Sequence, residues 1–161
     1  MKILGIDPGI GRTGWGTIQV QSSKFKVQSY GCIETSKELP LEKRIQEIYE
    51  SLSRIIKEEK PDEVAVEELF FNTNAKTALI VGQARGVILL AAAQEKLPVA
   101  VYTPLQVKIA LTGYGRAEKM QVAQMVMRQL HLEKKPKYDD ISDALAIALT
   151  HAFSWKTKLN Y

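Results

Sequence analysis

Apolar and polar positions change period along this chain, and the changes mark its elements. Lys2-Ile-Leu-Gly-Ile-Asp7 reads as a buried strand ending in an acid. Pro8 and Gly9 turn the chain, with Gly11 and Gly14 close behind. Trp15 to Val20 predicts a second strand, Gln21-Ser22-Ser23 a turn, and Phe25 to Thr35 a third strand. Connections this short imply an antiparallel meander. After Pro40 the period lengthens. Leu41, Ile45, Ile48, Leu52, Ile55 and Ile56 form the stripe of an amphipathic helix.

Pro61-Asp62 restarts the chain into Glu63-Val-Ala-Val-Glu67, a fourth strand that also ends in acids. Phe70 to Asn74 reads as a loop. A nearly all-apolar helix follows from about Ala75 to Glu95. Its small residues, Gly82 and Gly86 among them, suit close packing against the sheet or a second copy. Pro98 to Tyr102 is a fifth strand. Three helices remain, over Pro104 to Leu111, Ala117 to Leu132 and Asp140 to Phe153. The order predicts an α/β fold with a mixed five-stranded sheet: three antiparallel strands, then parallel crossovers, flanked by helices. The first strand is expected beside the fourth, so that Asp7 and Glu67 end on one edge.

Composition narrows the class. At 161 residues, 45% hydrophobic and 25% charged, the sequence predicts one globular domain over residues 1–161 and excludes wholesale disorder. Cys32 is the sole cysteine and His131 and His151 the only histidines, so neither a disulfide framework nor a multi-cysteine or multi-histidine metal site is available. The longest apolar run, Val87 to Ala93, is too short to span a bilayer. No membrane association is expected, and the expected location is the cytoplasm. The net charge is +4, and all of it lies in the last third, where nine basic residues face five acidic ones. That asymmetry favours a polyanionic partner.

The acids carry the chemistry. A carboxylate at the end of a hydrophobic strand is costly to desolvate unless it is paired, hydrogen-bonded or bound to a cation. Asp7 is such a residue, although Asp-Pro-Gly also makes a good turn. Of Glu67 and Glu68, alternation sends one to each face of the sheet, and periodicity does not say which joins Asp7. Tyr138-Asp139-Asp140-Ile-Ser-Asp143 offers a third group. Either Asp140 or Asp139 shares a helix face with Asp143. A helix cap needs only one Asp. Hard oxygen donors without a Cys or His cluster select Mg²⁺ or Mn²⁺. Two such ions together suit phosphodiester hydrolysis.

Several segments together resemble the RuvC family of bacterial Holliday junction resolvases, whose fold is of the ribonuclease H type. They are Ile-Leu-Gly-Ile-Asp7-Pro-Gly, Arg12-Thr-Gly-Trp-Gly, Val66-Glu67-Glu-Leu-Phe70, Gly82-Gln-Ala-Arg85-Gly, Gln106-Val-Lys108, Ala117-Glu-Lys119 and Asp140-Ile-Ser-Asp143-Ala-Leu-Ala. The resemblance implies a crossover junction endodeoxyribonuclease, with Asp7, Glu67, Asp140 and Asp143 as metal-binding carboxylates. It thereby selects Glu67 over Glu68 and Asp140 over Asp139. Some members carry His where this chain has Asp140. The resemblance further implies two Mg²⁺ ions per site, with Mn²⁺ able to substitute. It makes Lys108, Lys119 and Arg85 DNA contacts, with Lys119 also assisting catalysis. Phe70, or Phe71 beside it, would be the aromatic that probes the base stack at the crossover. The implied partners are four-way junction DNA, a second copy in a symmetric homodimer, and the RuvA–RuvB branch-migration complex.

Three other classes share parts of this pattern. A kinase of the actin–hexokinase type also opens on an Asp-x-Gly turn, but this chain has no second one. A non-catalytic module for branched DNA explains the basic tail and leaves the carboxylates unexplained. A ribonuclease H-like enzyme acting on RNA is set apart only by the resemblance.

Overall fold

The structure is a computed structural model and describes residues 1–21, 24–68 and 75–159. Its strands are β1 (Lys2–Asp7), β2 (Arg12–Gln21), β3 (Lys24–Glu34), β4 (Glu63–Glu67) and β5 (Val99–Tyr102). Its helices are α1 (Leu41–Glu59), α2 (Ala75–Gln94), α3 (Pro104–Thr112), α4 (Lys119–Leu130) and α5 (Asp139–Leu159). The sheet runs β3-β2-β1-β4-β5, with β1 central, antiparallel to β2 and parallel to β4. This is the mixed sheet expected from the sequence.

Strand alternation divides the interior in two. Leu4, Ile6, Val64 and Val66 pack on one face with Ile48 and Leu52 of α1 and Ile88 of α2. Ile3 and Ala65 face the other side, with Leu145, Ile147 and Leu149 of α5 and Val107 and Val126 of α3 and α4. Asp7 and Glu67 share the parity of Ile3 and Ala65, so both terminal acids face α5.

The closest helix-to-sheet approach is made by α5. Helix α2 packs on α1 and shares the core of Leu4 and Val66 through Ala84 and Ile88, whereas α5 presses onto β1 and β2. Glycines in those strands make room. A Cβ on Gly5 would overlap the carbonyl oxygen of Ala144 and come within 2.8 Å of Ala148 Cβ. A Cβ on Gly14 would overlap the carbonyl oxygen of Asp140 and lie 2.9 Å from the Ile141 amide nitrogen. Gly14 is also the register partner of Asp7. The first turn of α5 therefore lies directly over the end of β1.

Some boundaries shift for local reasons. β2 begins at Arg12 rather than Trp15 because Arg12 and Thr13 pair with Glu34 and Ile33. α4 begins at Lys119 rather than Ala117. The Ala117 amide is taken by the Tyr114 carbonyl, and the Glu118 amide donates to Gln121 Oε1 at 2.8 Å. α4 ends before His131, whose φ of 51° breaks the helix. α5 continues past Phe153 to Leu159. Among the described residues no helix is long and apolar enough to cross a membrane.

A methyl group at position 14 has only backbone to displace. Gly14→Ala is expected to cost about 1–3 kcal/mol or more. For a chain of this size, each kcal/mol lowers the melting temperature by roughly 2–4 °C. A thermal melt followed by circular dichroism measures the loss, and an unchanged midpoint would contradict the close approach.

Candidate active site

Four carboxylates converge on the edge where β1 and β4 end. Asp7 closes β1 and Glu67 closes β4. Asp140 and Asp143 stand one turn apart at the start of α5. Glu68 lies just beyond β4, exposed, with its amide donating to the Tyr102 carbonyl at 2.8 Å. Asp139 sits at the rim, exposed, with Lys119 Nζ 3.9 Å from its Oδ2. It pairs with Lys135 at 2.8 Å, and that hydrogen bond holds its carboxyl below the usual range.

The electrostatics of the group are those of anions crowded out of water. Burial, then the charges of Glu67, Asp143 and Asp140, push Asp7 up to about 8, against the opposing pull of Lys119. Burial and Asp143 push Glu67 up to about 7. Asp143 is raised chiefly by burial, although Lys119 lies 2.8 Å away and works against that shift. Lys119 is drawn down by partial burial. Its hydrogen bond to Asp143 and the charges of Asp143, Asp139 and Asp7 outweigh this and hold the ammonium above its usual range. Relative to the unfolded chain, a protonated Asp7 favours the fold fully below pH 3.8. That contribution is lost as pH rises through about 8.

Protein cations already offset part of the charge. Arg12 Nη1 lies 3.6 Å from Asp140 Oδ2, and its guanidinium carbon stands 4.7 Å from the centre of the Tyr138 ring. Among the described residues no three acidic, His or Cys groups close into a coordination sphere by themselves. The donor set nevertheless suits a hard divalent cation: four carboxylates, no thiolate, no imidazole. The raised Asp7 and Glu67 lack enough positive charge nearby to ionise easily, and a bound cation would supply it.

The remaining sequence-predicted residues divide. Lys108 and Lys119 line one cleft of about 270 Å³ together with Glu67 and Asp143. Arg85 lies on α2, and its charge is not among those acting on Asp7 or Glu67. Its Nε is buried, with no hydrogen-bond partner among the described residues. Phe70 and Phe71 lie outside the described residues. Burial and the nearby Asp140 push the Cys32 thiol up to about 11, which disfavours the thiolate a nucleophile needs.

Two features carry no clear sequence signal. Arg12 stands in one of the resembling motifs, but only the fold brings it against Asp140. His151 forms a buried relay behind the site: Tyr102 Oη lies 2.8 Å from His151 Nδ1, and His151 Nε2 lies 2.7 Å from Glu63 Oε2. The relay ties α5 to β4 and β5, and Tyr102 is the register partner of Glu67. A lone histidine 88 residues from its carboxylate partner leaves no local signal.

Comparison with known proteins gives the same family. Residues 3–151 match the model for crossover junction endodeoxyribonuclease RuvC. A protein of that name from Desulforamulus reducens is 55% identical over 152 residues, covering 94% of this chain and 93% of that one. Another from Clostridioides difficile is 52% identical over 156 residues, covering 97% and 92%. The structure of Thermus thermophilus RuvC in complex with Holliday junction substrate superposes with a TM-score of 0.93. It is 40% identical and covers 98% of this chain and 96% of that one. A sequence matched from one end of the sheet to α5, on a fold of the same topology, belongs to the RuvC family.

Proposed function

We propose that this protein resolves Holliday junctions. It is a metal-dependent endodeoxyribonuclease that makes paired, symmetric nicks in four-way DNA. The observation that carries this reading is the meeting of four carboxylates on one sheet edge beside Lys108 and Lys119, in a chain of the RuvC family. Residues 1–161 act as one catalytic unit in the cytoplasm.

Asp7, Glu67, Asp140 and Asp143 are the ligands of two Mg²⁺ ions, for which Mn²⁺ can substitute. When bound, such ions activate water and offset charge on the phosphodiester. The chain's own residues do the rest. Asp7 and Glu67 sit on adjacent strands, so their spacing is set by the sheet and not by flexible loops. Asp140 and Asp143 are fixed by the docking of α5. Lys119 is held protonated beside Asp143 and presents its Nζ as a fixed positive charge for a phosphate oxygen. Lys108, in the same cleft, holds the DNA backbone. Arg85 is a further DNA contact, and Phe70 or Phe71 wedges the base stack at the crossover.

A two-fold symmetric junction calls for a two-fold symmetric enzyme. The proposed dimer is supported by an apolar stripe on α2, where Leu79 is 65% and Leu90 49% exposed. Between them Gly86 leaves a Cβ position with nothing within 4 Å. The RuvA–RuvB complex is the proposed motor partner.

The direct test offers labelled four-way DNA, linear duplex and an RNA hairpin, each with Mg²⁺ and with EDTA. Cutting is expected for the four-way DNA with Mg²⁺ alone. Asp7→Asn is expected to slow it roughly a thousand-fold, the order of several kcal/mol of lost stabilisation. Junction binding should stay near that of the parent. Equal cutting of all three substrates, or activity in EDTA, would overturn the reading. The dimer has its own measurement. Leu79→Glu with Leu90→Glu is expected to halve the mass found by light scattering. A parent that is already monomeric would contradict it.

A further inference from the structure

The cleft of Lys108 and Lys119 has a counterpart on the other side of the carboxylates. It has a volume of about 600 Å³, and its lining includes Gly11, Arg12, Lys37, Arg44 and Asp140. The two clefts meet at the carboxylate edge. Glu67 and Asp143 belong to one, and Asp140 to the other. The basic residues here come from the part of the sequence whose charges balance, so composition gives no sign of them.

Arg44 is built into this place. It stands on the first turns of α1, and its Nε donates to Thr35 Oγ1 at 2.9 Å. Thr35 Oγ1 in turn donates to the Ile10 carbonyl, and the Thr35 amide donates to the Gly11 carbonyl at 3.1 Å. One edge of the guanidinium is thus tied to the turn that follows Asp7. Among the described residues its two terminal nitrogens have no hydrogen-bond or ion-pair partner. Nη2 lies 3.7 Å from where a Cβ on Gly11 would be, so a side chain there would narrow the cleft. Arg12 is held by Asp140 and by the Tyr138 ring, with half its side chain exposed. Neither Lys37 nor Arg44 pairs with Glu34 among the described residues. Three cations therefore border one open cleft, one of them pre-oriented with its donor fork available. A guanidinium so placed matches the oxygens of a phosphate.

We propose that Arg44, Lys37 and Arg12 form a second backbone-phosphate site. It grips the DNA strand on the side of the scissile phosphate opposite Lys108 and Lys119. The ligand is a phosphodiester of the substrate strand, so the inference rests on the junction-nuclease reading. Its consequence is geometric. The strand is held on both flanks of the carboxylates, and the scissile phosphate is fixed between two grips.

The experiment measures affinity for four-way DNA in EDTA across a range of salt concentrations, for the parent, Lys37→Gln, Arg44→Gln and the double variant. Each single change is expected to weaken binding about three- to ten-fold at 0.1 M salt. Each should also reduce the slope of log affinity against log salt by about one. Arg44→Lys keeps the charge and should keep the slope while losing part of the affinity. Lys37→Gln removes no internal contact, so a folding defect at Arg44 would leave it informative. A junction with a single uncharged methylphosphonate next to the cut should bind the parent more weakly at one flanking position. The double variant should not notice that change. Unchanged slopes together with equal methylphosphonate sensitivity would overturn the site while junction cutting by the parent stands. A parent with no preference for four-way DNA would overturn the functional reading itself.

Discussion

The docking of α5 on the bare backbone of β1 and β2 sets the distances on which the rest of the site depends. Gly5 and Gly14 have no side chain to hold the helix off, and Ala144 and Ala148 present little of their own. Because Gly14 is opposite Asp7, the helix start settles over the end of β1 and carries Asp140 and Asp143 with it. A side chain at Gly5 or Gly14 would lift the helix and disperse the group of four. Packing density at this contact therefore sets the spacing of the carboxylates as well as the stability of the fold.

That packing has an electrostatic cost. It desolvates acids that repel one another, and Lys119 and Arg12 offset only part of the repulsion. The consequence is a site in which Asp7 and Glu67 keep their protons into the neutral range. A metal-binding reading and a buried-acid reading predict opposite uses of this energy. If the carboxylates receive a cation, the strain is relieved on loading and appears as affinity. If they do not, it is only lost stability. The surrounding basic clefts favour the first, because they bring a polyanion towards carboxylates that would repel it unaided.

Much of this was legible in the sequence, for identifiable reasons. Period-two and helical patterning located every strand and helix, and the acids at the ends of two buried strands marked the site edge. Which acid faced inward was not legible from periodicity, because Glu67 and Glu68 differ only in parity, and parity needs the register with β1 and β5. The glycines of α2 form a run that a sequence displays, whereas the closer approach of α5 uses single glycines scattered through β1 and β2, which no local pattern marks. Arg12, Lys37 and Arg44 lie in a charge-balanced stretch and become one cleft only when β3, α1 and the turn after β1 meet. The His151 relay was hidden for the same reason, since its partners are drawn from two strands far away in sequence.

These half-buried acids are held for a divalent cation. Isothermal titration of the DNA-free protein with Mg²⁺ tests this, run in buffers of differing ionisation enthalpy so that proton exchange is counted. A cation favours the ionised carboxylates, so binding must expel the protons held by Asp7 near 8 and Glu67 near 7. Release of about two protons per site is expected at pH 6, falling towards none above pH 9, with apparent affinity rising over the same interval. Binding with no proton release at pH 6, or no binding at any pH, would contradict it.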